Sequence, residues 1–343
     1  IAAGVLIFII MVGMLAPALS PYDPTIAGRD RDYLNGAPQI PQFCDSNGCS
    51  LRPFIHGVER TRSAETNFRW VEVPNEDIRH YVQFFVEGTE YDLFGIIPMD
   101  THLFGMEDDK KLHLFGTDSA GKDIFSRTLH AIFTSLQIGS LGVLISFVLA
   151  LIIGGVSGYY GGKLDSVIQM ATDAVRTIPA IPLVMSVAAF VPTERTAEQR
   201  FFMIAIILGL IGWPTLARRV RTHLLTERNQ EYVLAAQLCG ASSGHVIRKH
   251  LLPSFTSYII VDLVISFPYM VLSETALSFI GLGLKDPVNS LCVMLQNVTS
   301  ADVLLNYQWY FIPVIFFIVL VMAFVFVGDG LRDAADPYGD TKK

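Results

Sequence analysis

The chain has 343 residues, of which 51% are hydrophobic and only 17% are charged, and its mean hydropathy is +0.44. A soluble domain carries about a quarter charged residues, so the composition excludes an ordinary soluble globular protein. Acidic residues crowd positions 20–123, whereas Arg and Lys dominate positions 218–249. This asymmetry, rather than the net charge of −7, indicates orientation in a lipid bilayer and argues against a nucleic-acid partner. The alternation of apolar and polar blocks predicts an all-α polytopic membrane protein.

The first predicted span is residues 1–19, an uncharged run almost long enough alone to cross a hydrocarbon core of about 30 Å. Because the sequence begins inside this run and without Met, we expect a cytoplasmic segment to precede it in the full protein. Residues 20–123 contain no run that could cross a membrane. Long segments are translocated whatever their charge, so we predict that this stretch is a periplasmic insert.

Residues 79–97 alternate β-branched and aromatic side chains around Glu87-Gly88-Thr89. This pattern predicts a β-hairpin that turns at Gly88. Cys44 and Cys49 flank a turn-rich loop in the same insert and are candidates for a disulfide in an oxidising compartment. A metal site with His56 as the nearest further ligand is the alternative.

The stretch Gly116–Asp123 imitates a phosphate-binding loop, but Asp123 stands where Ser or Thr must hold magnesium, and no buried strand precedes it. We therefore reject nucleotide binding in this chain. We find no HExxH motif, no Gly-x-Ser-x-Gly motif and no metal-ligand spacing among the eight histidines. The sequence therefore predicts no catalytic, cofactor or metal site, and a transport protein whose energy comes from another subunit.

Five more spans are predicted, at residues 132–159, 165–191, 201–217, 255–283 and 309–327. At the end of the second span, Gly154, Gly158 and Gly162 form a stripe of small residues typical of close helix packing.

Three of the ionisable residues inside the predicted spans are candidates for the translocation pathway. Asp173 and Arg176 are three residues apart and can pair on one helix face. Glu274 cannot face lipid, because a charge at the bilayer centre costs at least ~2.5 kcal/mol. Two interpretations stay open for these residues: they line the translocation pathway, with Glu274 at an outer gate, or they hold the helices together.

The polar segment 218–253 separates the fourth and fifth spans, and its positive charge places it on the cytoplasmic side. Ala236 and Gly240 lie four apart and share one helix face, and Gly240 permits a sharp change of direction. Glu231 suits the first turn of a helix, and Pro253 suits the start of the next one. A short helix, a glycine break and a restart indicate a docking surface.

The order Ala235-Ala236, Gly240 and His250-Leu251-Leu252-Pro253 resembles the EAA loop of ABC-importer permeases, with Leu234 in place of the usual Glu. Three further segments resemble signatures of the C-type subunit of the dipeptide/oligopeptide (peptide/nickel) transporter family. These are GTDSAGKDIFSR at 116–127, with Lys122 in place of the common Arg, ETALSFIGLG at 274–283 and GDGLRDAADP at 328–337.

The resemblance implies the ABC type I importer permease fold, with six transmembrane helices and a small β-containing periplasmic insert between helices 1 and 2. It implies a multi-pass protein of the bacterial inner membrane with both termini in the cytoplasm. The implied divisions are helix 1 (1–19), the insert and amphipathic segment (20–123), the permease core (124–330) with its coupling loop (218–253), and a cytoplasmic tail (331–343).

The implied partners are a B-type permease subunit, two ABC ATPase subunits that bind ATP and Mg, and a periplasmic or lipid-anchored peptide-binding protein. The residues implied in ATPase coupling are Glu231, Ala235, Ala236, Gly240, His250, Leu252 and Pro253. The function implied is a transport subunit, with no enzyme activity of its own, of an importer for dipeptides and oligopeptides.

Other functions stay open at this point. The same architecture imports nickel, opines or oligosaccharides. An ATP-independent channel would not need a coupling loop. A membrane-anchored periplasmic enzyme would need convergent acid, base or nucleophile residues within 20–123, and we find none there.

Overall fold

The computed structural model describes residues 1–24, 34–46, 48–62, 70–106, 111–190, 196–254, 256–281, 283–284 and 288–335. The chain divides into two compact units. One comprises Ile7–Thr134 and Asp286–Val319, and the other comprises Ile1–Leu6, Ser135–Lys285 and Leu320–Lys343.

The helices in chain order are α1 (Ala2–Met14), α2 (Ala16–Leu19), α3 (Ile124–Tyr160), α4 (Gly162–Thr177), α5 (Ala180–Ala188), α6 (Ala197–Glu227), α7 (Glu231–Leu238), α8 (Ser243–Val246), α9 (Leu252–Ser254), α10 (Thr256–Phe279), α11 (Leu291–Asn297), α12 (Ala301–Asn306) and α13 (Ile312–Ala335). A π-helical turn covers Ile247–Leu251, and a 3₁₀ turn covers Gln308–Phe311. The strands are β1 (Gln42–Asp45), β2 (Gly48–Arg62), β3 (Trp70–Leu93) and β4 (Ile97–Met106).

Four of the helices in the described ranges are long and apolar enough to cross a membrane: Ile124–Tyr160, Gln199–Glu227, Thr256–Phe279 and Gln308–Ala334. They coincide with the second, fourth, fifth and sixth predicted spans. The first predicted span is a 13-residue apolar helix, α1, followed by the short α2. A count of six spans therefore stays a prediction.

The third predicted span, 165–191, is not one helix. Its described part forms α4 and α5, and Ile178 and Pro179 between them have extended backbone with ψ of 127° and 130°. A proline ring disfavours helical geometry in the residue before it, so Pro179 separates two helices where the sequence predicted a single kinked one. Val191 lies outside the described residues.

The four strands form one antiparallel sheet in the order β1-β2-β3-β4. The first half of the 24-residue β3 pairs with β2, and its second half pairs with β4. Two hairpins are therefore joined end to end along one strand. This β structure lies inside the predicted insert, and its location outside the membrane stays a prediction.

The predicted hairpin turn at Gly88 is wrong. β3 continues through Gly88, and the chain reverses at residues 94–96, where Leu93 pairs with Ile97. The ladder is irregular between Glu87 and Tyr91, and a Cβ on Gly88 would lie 2.4 Å from the His102 ring. Glycine is required there for the close approach of a side chain across the ladder.

A buried polar cluster fixes the beginning of α3. Asp123 accepts hydrogen bonds from the backbone N–H and the hydroxyl of Ser126, each at 2.7 Å, and its other oxygen lies 2.9 Å from Nδ1 of His113. Asp118 pairs with Arg127, and both are buried. The segment that imitates a phosphate-binding loop is therefore a helix-capping structure.

Glycines bring α3 and α6 into backbone contact. A Cβ on Gly154 would lie 2.4 Å from the carbonyl oxygen of Ala217, and one on Gly158 would lie 2.7 Å from that of Arg221. Gly162 does not belong to this contact, because it starts α4 with a φ of +61° and open space around it.

Candidate functional site

The last turns of α6 carry three arginines that reach across to other helices. The sequence placed them in a loop after residue 217, but α6 remains helical to Glu227. Each arginine pairs with a different aspartate: Arg218 with Asp173 of α4, Arg219 with Asp262 of α10, and Arg221 with Asp165 of α4.

The three ion pairs differ in burial. Asp165 accepts from Nε and Nη2 of Arg221, both at 2.5 Å, and also from the Ser157 hydroxyl, and it is buried. The Arg218 and Asp173 side chains are 41% and 60% exposed, so water weakens their attraction. The predicted pairing of Asp173 with Arg176 is corrected, because α6 offers Asp173 a closer guanidinium.

The segment after α6 is packed onto a small apolar core. Its fully or nearly fully buried members come from α6, α7, α8 and the π-helical turn: Val220, Leu224, Val233, Val246 and Leu251. The segment is therefore a folded element fixed to the end of α6 rather than a loose connection.

Gly240 ends α7 in a Schellman motif. Its N–H donates to the carbonyl of Gln237 at 2.9 Å, and the N–H of Ala241 donates to that of Ala236 at 3.1 Å. Gly240 has a φ of +83°, which a glycine adopts without strain. The predicted glycine break is therefore present, and its cause is the backbone conformation; no atom lies within 4 Å of a Cβ placed there.

The two faces of α7 have different surroundings. Val233 is completely buried in the apolar core, and Ala236 packs against it. The opposite face carries Leu234 and Leu238, which are 48% and 89% exposed, with Glu231 and Ala235 at the intervening positions. Positions 231, 234, 235 and 238 share one side of a helix. We call these four residues the outer face of α7.

The other predicted coupling residues lie beyond the glycine. His250 belongs to the π-helical turn, with its ring centroid 5.8 Å from that of His245. Leu252 packs against the apolar core, and Pro253 is exposed in α9. Pro253 has no N–H to donate to the preceding turn, and the wider π-helical turn ends at Leu251, two residues before it.

Two polar contacts fix α7 and the end of α3 to the end of α6. The Tyr232 hydroxyl donates to Glu227 at 2.9 Å, and partial burial raises the pKa of Tyr232. Arg228 donates to the carbonyl of Tyr159 at 3.1 Å, so a cation satisfies the carboxyl end of α3. The ends of α3, α6 and α7 are thereby connected.

A cavity of about 550 Å³ opens among α3, α4, α5, α6 and α10. Apolar side chains form most of its wall, with Arg176, Arg219, Ser266, Ser273 and Thr215 among the polar residues. Of the three predicted pathway residues, the structure brings only Arg176 to this cavity. Glu274 is 1% exposed and accepts a hydrogen bond from Ser278 at 2.8 Å, so it packs between helices here.

The two insert cysteines form a disulfide across the β1–β2 turn, with Cα atoms 4.0 Å apart. Beside it, Asp45 accepts from Nε of Arg79 at 2.8 Å, and this hydrogen bond raises the pKa of Arg79. Within the described ranges no group of three or more His, Cys, Asp or Glu residues could hold a metal ion.

Sequence reasoning missed the Asp165–Arg221 pair and the exposed Leu238. The pair joins residues 56 apart in sequence, and no local pattern announces it. The outer face of α7 could have been found, since positions 231, 234, 235 and 238 follow helical spacing from the predicted helix start.

Four described helices long and apolar enough to cross a membrane, joined to a folded basic segment, are the architecture of a polytopic membrane protein. The chain belongs to the family described as the inner membrane component of binding-protein-dependent transport systems, which matches residues 129–338.

Individual relatives agree with this assignment. A dipeptide transport system permease protein of Bacillus subtilis is 36% identical over 228 residues, covering 66% of this chain and 68% of that protein. An oligopeptide transport system permease protein of Haemophilus influenzae is 32% identical over 257 residues, covering 75% of this chain and 78% of that protein.

Among solved structures, the inward-facing MetNI methionine ABC transporter is similar, with a TM-score of 0.48 and 18% identity over 61% of this chain and 97% of that one. Because this TM-score is below 0.5, the family assignment rests on the sequence matches.

Proposed function

We propose that this chain is the C-type permease subunit of an ATP-driven importer of dipeptides and oligopeptides. The names of the relatives support the cargo, since both a dipeptide and an oligopeptide permease match most of the chain. The observation that carries the mechanism is the outer face of α7, a set of exposed residues on an element fixed rigidly to the end of α6.

In this proposal the outer face of α7 seats on one of two cytoplasmic ATPase subunits, which bind the ATP and Mg. A B-type permease subunit completes the translocation path, and a periplasmic or lipid-anchored binding protein delivers the cargo. The chain crosses the inner membrane six times as a type I permease, with both termini in the cytoplasm and residues 20–123 in the periplasm. Residues 1–19 and 331–343 are its first span and its cytoplasmic tail.

The ion pairs support a rigid transmission from α7 to the helices around the cavity. Arg218 and Arg221 tie α6 to α4, and Arg219 ties α6 to α10. A displacement of α7 is therefore transmitted to three cavity-lining helices. ATP-driven closure shifts the balance between two arrangements of these helices that are close in free energy.

The cavity is suited to cargo that varies in its side chains. Its wall is mostly apolar, and the polar groups among its lining residues are hydroxyls and guanidinium groups. We propose it as this subunit's part of the path, with Arg176 as a contact for the cargo. Asp173 and Glu274 serve helix packing in the conformation described, and Glu274 reaches the path only in another one.

The test is Leu238→Asp in the complete importer, reconstituted in nanodiscs. Leu238 is exposed, so the variant should insert and fold, but a charge on an apolar contact should weaken ATPase-subunit binding about tenfold or more. Leu305→Asp is the matched control, because Leu305 of α12 is 78% exposed and lies outside the coupling segment. Equal ATPase binding and uptake in both variants would remove α7 from the mechanism. Uptake that continues without ATP would favour a channel.

A further inference from the structure

The second hairpin of the insert, made by the end of β3 and by β4, forms an arm. Among the described strands, none pairs with the outer edge of β4. The arm comprises residues 84–101, from the second half of β3 through the turn into β4. β2 pairs only with the part of β3 before residue 82. The arm is therefore a two-stranded ribbon, a structure of marginal stability by itself in water.

The base of the arm is anchored, and its tip is exposed. At the base, Val82, His102 and Met106 are buried, and Nδ1 of His102 lies 2.6 Å from the carbonyl oxygen of Ser20. The Phe104 ring also contacts that of Phe125 at the start of α3, with centroids 5.7 Å apart. The turn at Ile96 lies eight residues along β4 from Phe104, which corresponds to about 26 Å at ~3.3 Å per residue.

The tip exposes large apolar side chains. Phe94, Ile96 and Ile97 are 52%, 81% and 50% exposed, and they follow one another around the turn. We call these three residues the apolar tip. Several large exposed apolar side chains within one turn are characteristic of an interaction site, because their exposure to water is unfavourable.

The arm is uniformly acidic behind its apolar tip. Glu87, Glu90, Asp92 and Asp100 lie on it, and the sequence contains no Lys or Arg between Arg79 and Lys110. A lipid surface that carries anionic headgroups would repel this arrangement. A second copy of the arm would repel it as well, since a symmetric contact would bring the same carboxylates together.

We propose that the apolar tip docks into an apolar recess, rimmed by Lys and Arg, on the soluble binding protein that delivers the cargo. The inference rests on the proposed function, which places the insert on the side from which cargo arrives. The arm lies outside residues 129–338, which match the family. It therefore adds a contact that the shared permease core does not contain.

The experiment measures the affinity of the importer, in nanodiscs, for the binding protein that supports its uptake. The Phe94→Ser/Ile96→Ser double variant should raise Kd about tenfold or more, because it removes the central apolar contacts. Leu51→Ser is the matched control, since Leu51 is fully exposed on β2, away from the arm, and it should leave Kd unchanged. Asp92→Asn/Asp100→Asn should flatten the salt dependence of Kd, because it removes charges beside the recess.

Three results would overturn the proposal. If the double variant has an unchanged Kd while the wild-type importer binds normally, the arm is not a docking element, and the proposed function stands. Absence of any binding-protein effect on the wild-type importer removes both. Quenching of Phe94→Trp fluorescence by brominated phosphatidylcholine, together with an unchanged Kd, assigns the tip to the lipid surface instead.

Discussion

Gly154 and Gly155 are neighbours in α3 with opposite surroundings. A Cβ on Gly154 would collide with the backbone of Ala217, whereas one on Gly155 would meet nothing within 4 Å. At this scale the helix bundle depends on a few positions where one added carbon cannot fit, and a sequence stripe of glycines does not reveal which positions these are.

We expect Gly154→Ala to destabilise the protein by about 1–3 kcal/mol, because α3 and α6 must separate to admit the methyl group. Gly155→Ala should be neutral or slightly stabilising, since alanine favours helix and finds open space. Thermal unfolding in detergent, followed by tryptophan fluorescence, compares the two variants. Equal melting temperatures would contradict the backbone contact.

The arginines at the end of α6 allow a second comparison between residues. Arg221→Gln should cost about 2 kcal/mol of unfolding free energy, because it leaves the buried Asp165 carboxylate without its principal partner. Arg218→Gln should cost less than about 1 kcal/mol, because its pair with Asp173 is open to water. Double-mutant cycles that combine Arg221→Gln with Asp165→Asn, and Arg218→Gln with Asp173→Asn, measure both coupling energies. A larger coupling energy for Arg218–Asp173 than for Arg221–Asp165 would contradict the burial argument.

Several elements in this chain begin or end at a capping side chain, a glycine or a proline. Asp123 caps α3, and Gly240 closes α7 with a Schellman motif. The π-helical turn precedes Pro253, and Pro179 stands at the break between α4 and α5. These local features determine where the helices begin and end more closely than the lengths of the apolar runs do.

Asp123→Ala should destabilise the protein by about 2–4 kcal/mol. It removes the cap of α3 and also the carboxylate that faces the buried His113 ring. Ser242→Ala is the matched control: Ser242 precedes α8 but makes no capping bond with its side chain, so its loss should change stability by less than about 0.5 kcal/mol. Chemical denaturation of both variants decides this, and a mild effect of Asp123→Ala would count against the cap.

Hydropathy alone located four helices that could span a membrane, because a long uncharged apolar run is typical of a transmembrane helix. It failed at their ends, since α6 continues for ten residues beyond the predicted boundary and carries its arginines as helical side chains. Gly88 was assigned to a turn because the ring of His102 that requires glycine there is 14 residues away in sequence. The partner of Asp173 is 45 residues away.

In the predicted coupling loop, 218–253, local features were also predictable from the sequence and long-range contacts were not. The glycine break was predictable from Gly240 alone, but the direction in which Ala236 faces depends on the apolar core behind it. Sequence reasoning named Glu231 and Ala235, which are exposed, together with Ala236, which packs inward, and it did not name the exposed Leu238.

At the scale of the whole molecule, the account requires that α7 face the compartment of the ATPases. A native cysteine can report which compartment α7 faces. Of its four cysteines, Cys44 and Cys49 form a disulfide, Cys292 is buried, and Cys239 is exposed at the end of α7.

The most direct test is labelling of Cys239 with a membrane-impermeant maleimide in sealed vesicles of both orientations. The account predicts labelling in inside-out vesicles stripped of the ATPase subunits, protection when those subunits are added back, and no labelling in right-side-out vesicles. Cys239→Ser should abolish the signal in every preparation. Labelling of Cys239 from the outer surface of right-side-out vesicles would contradict the account.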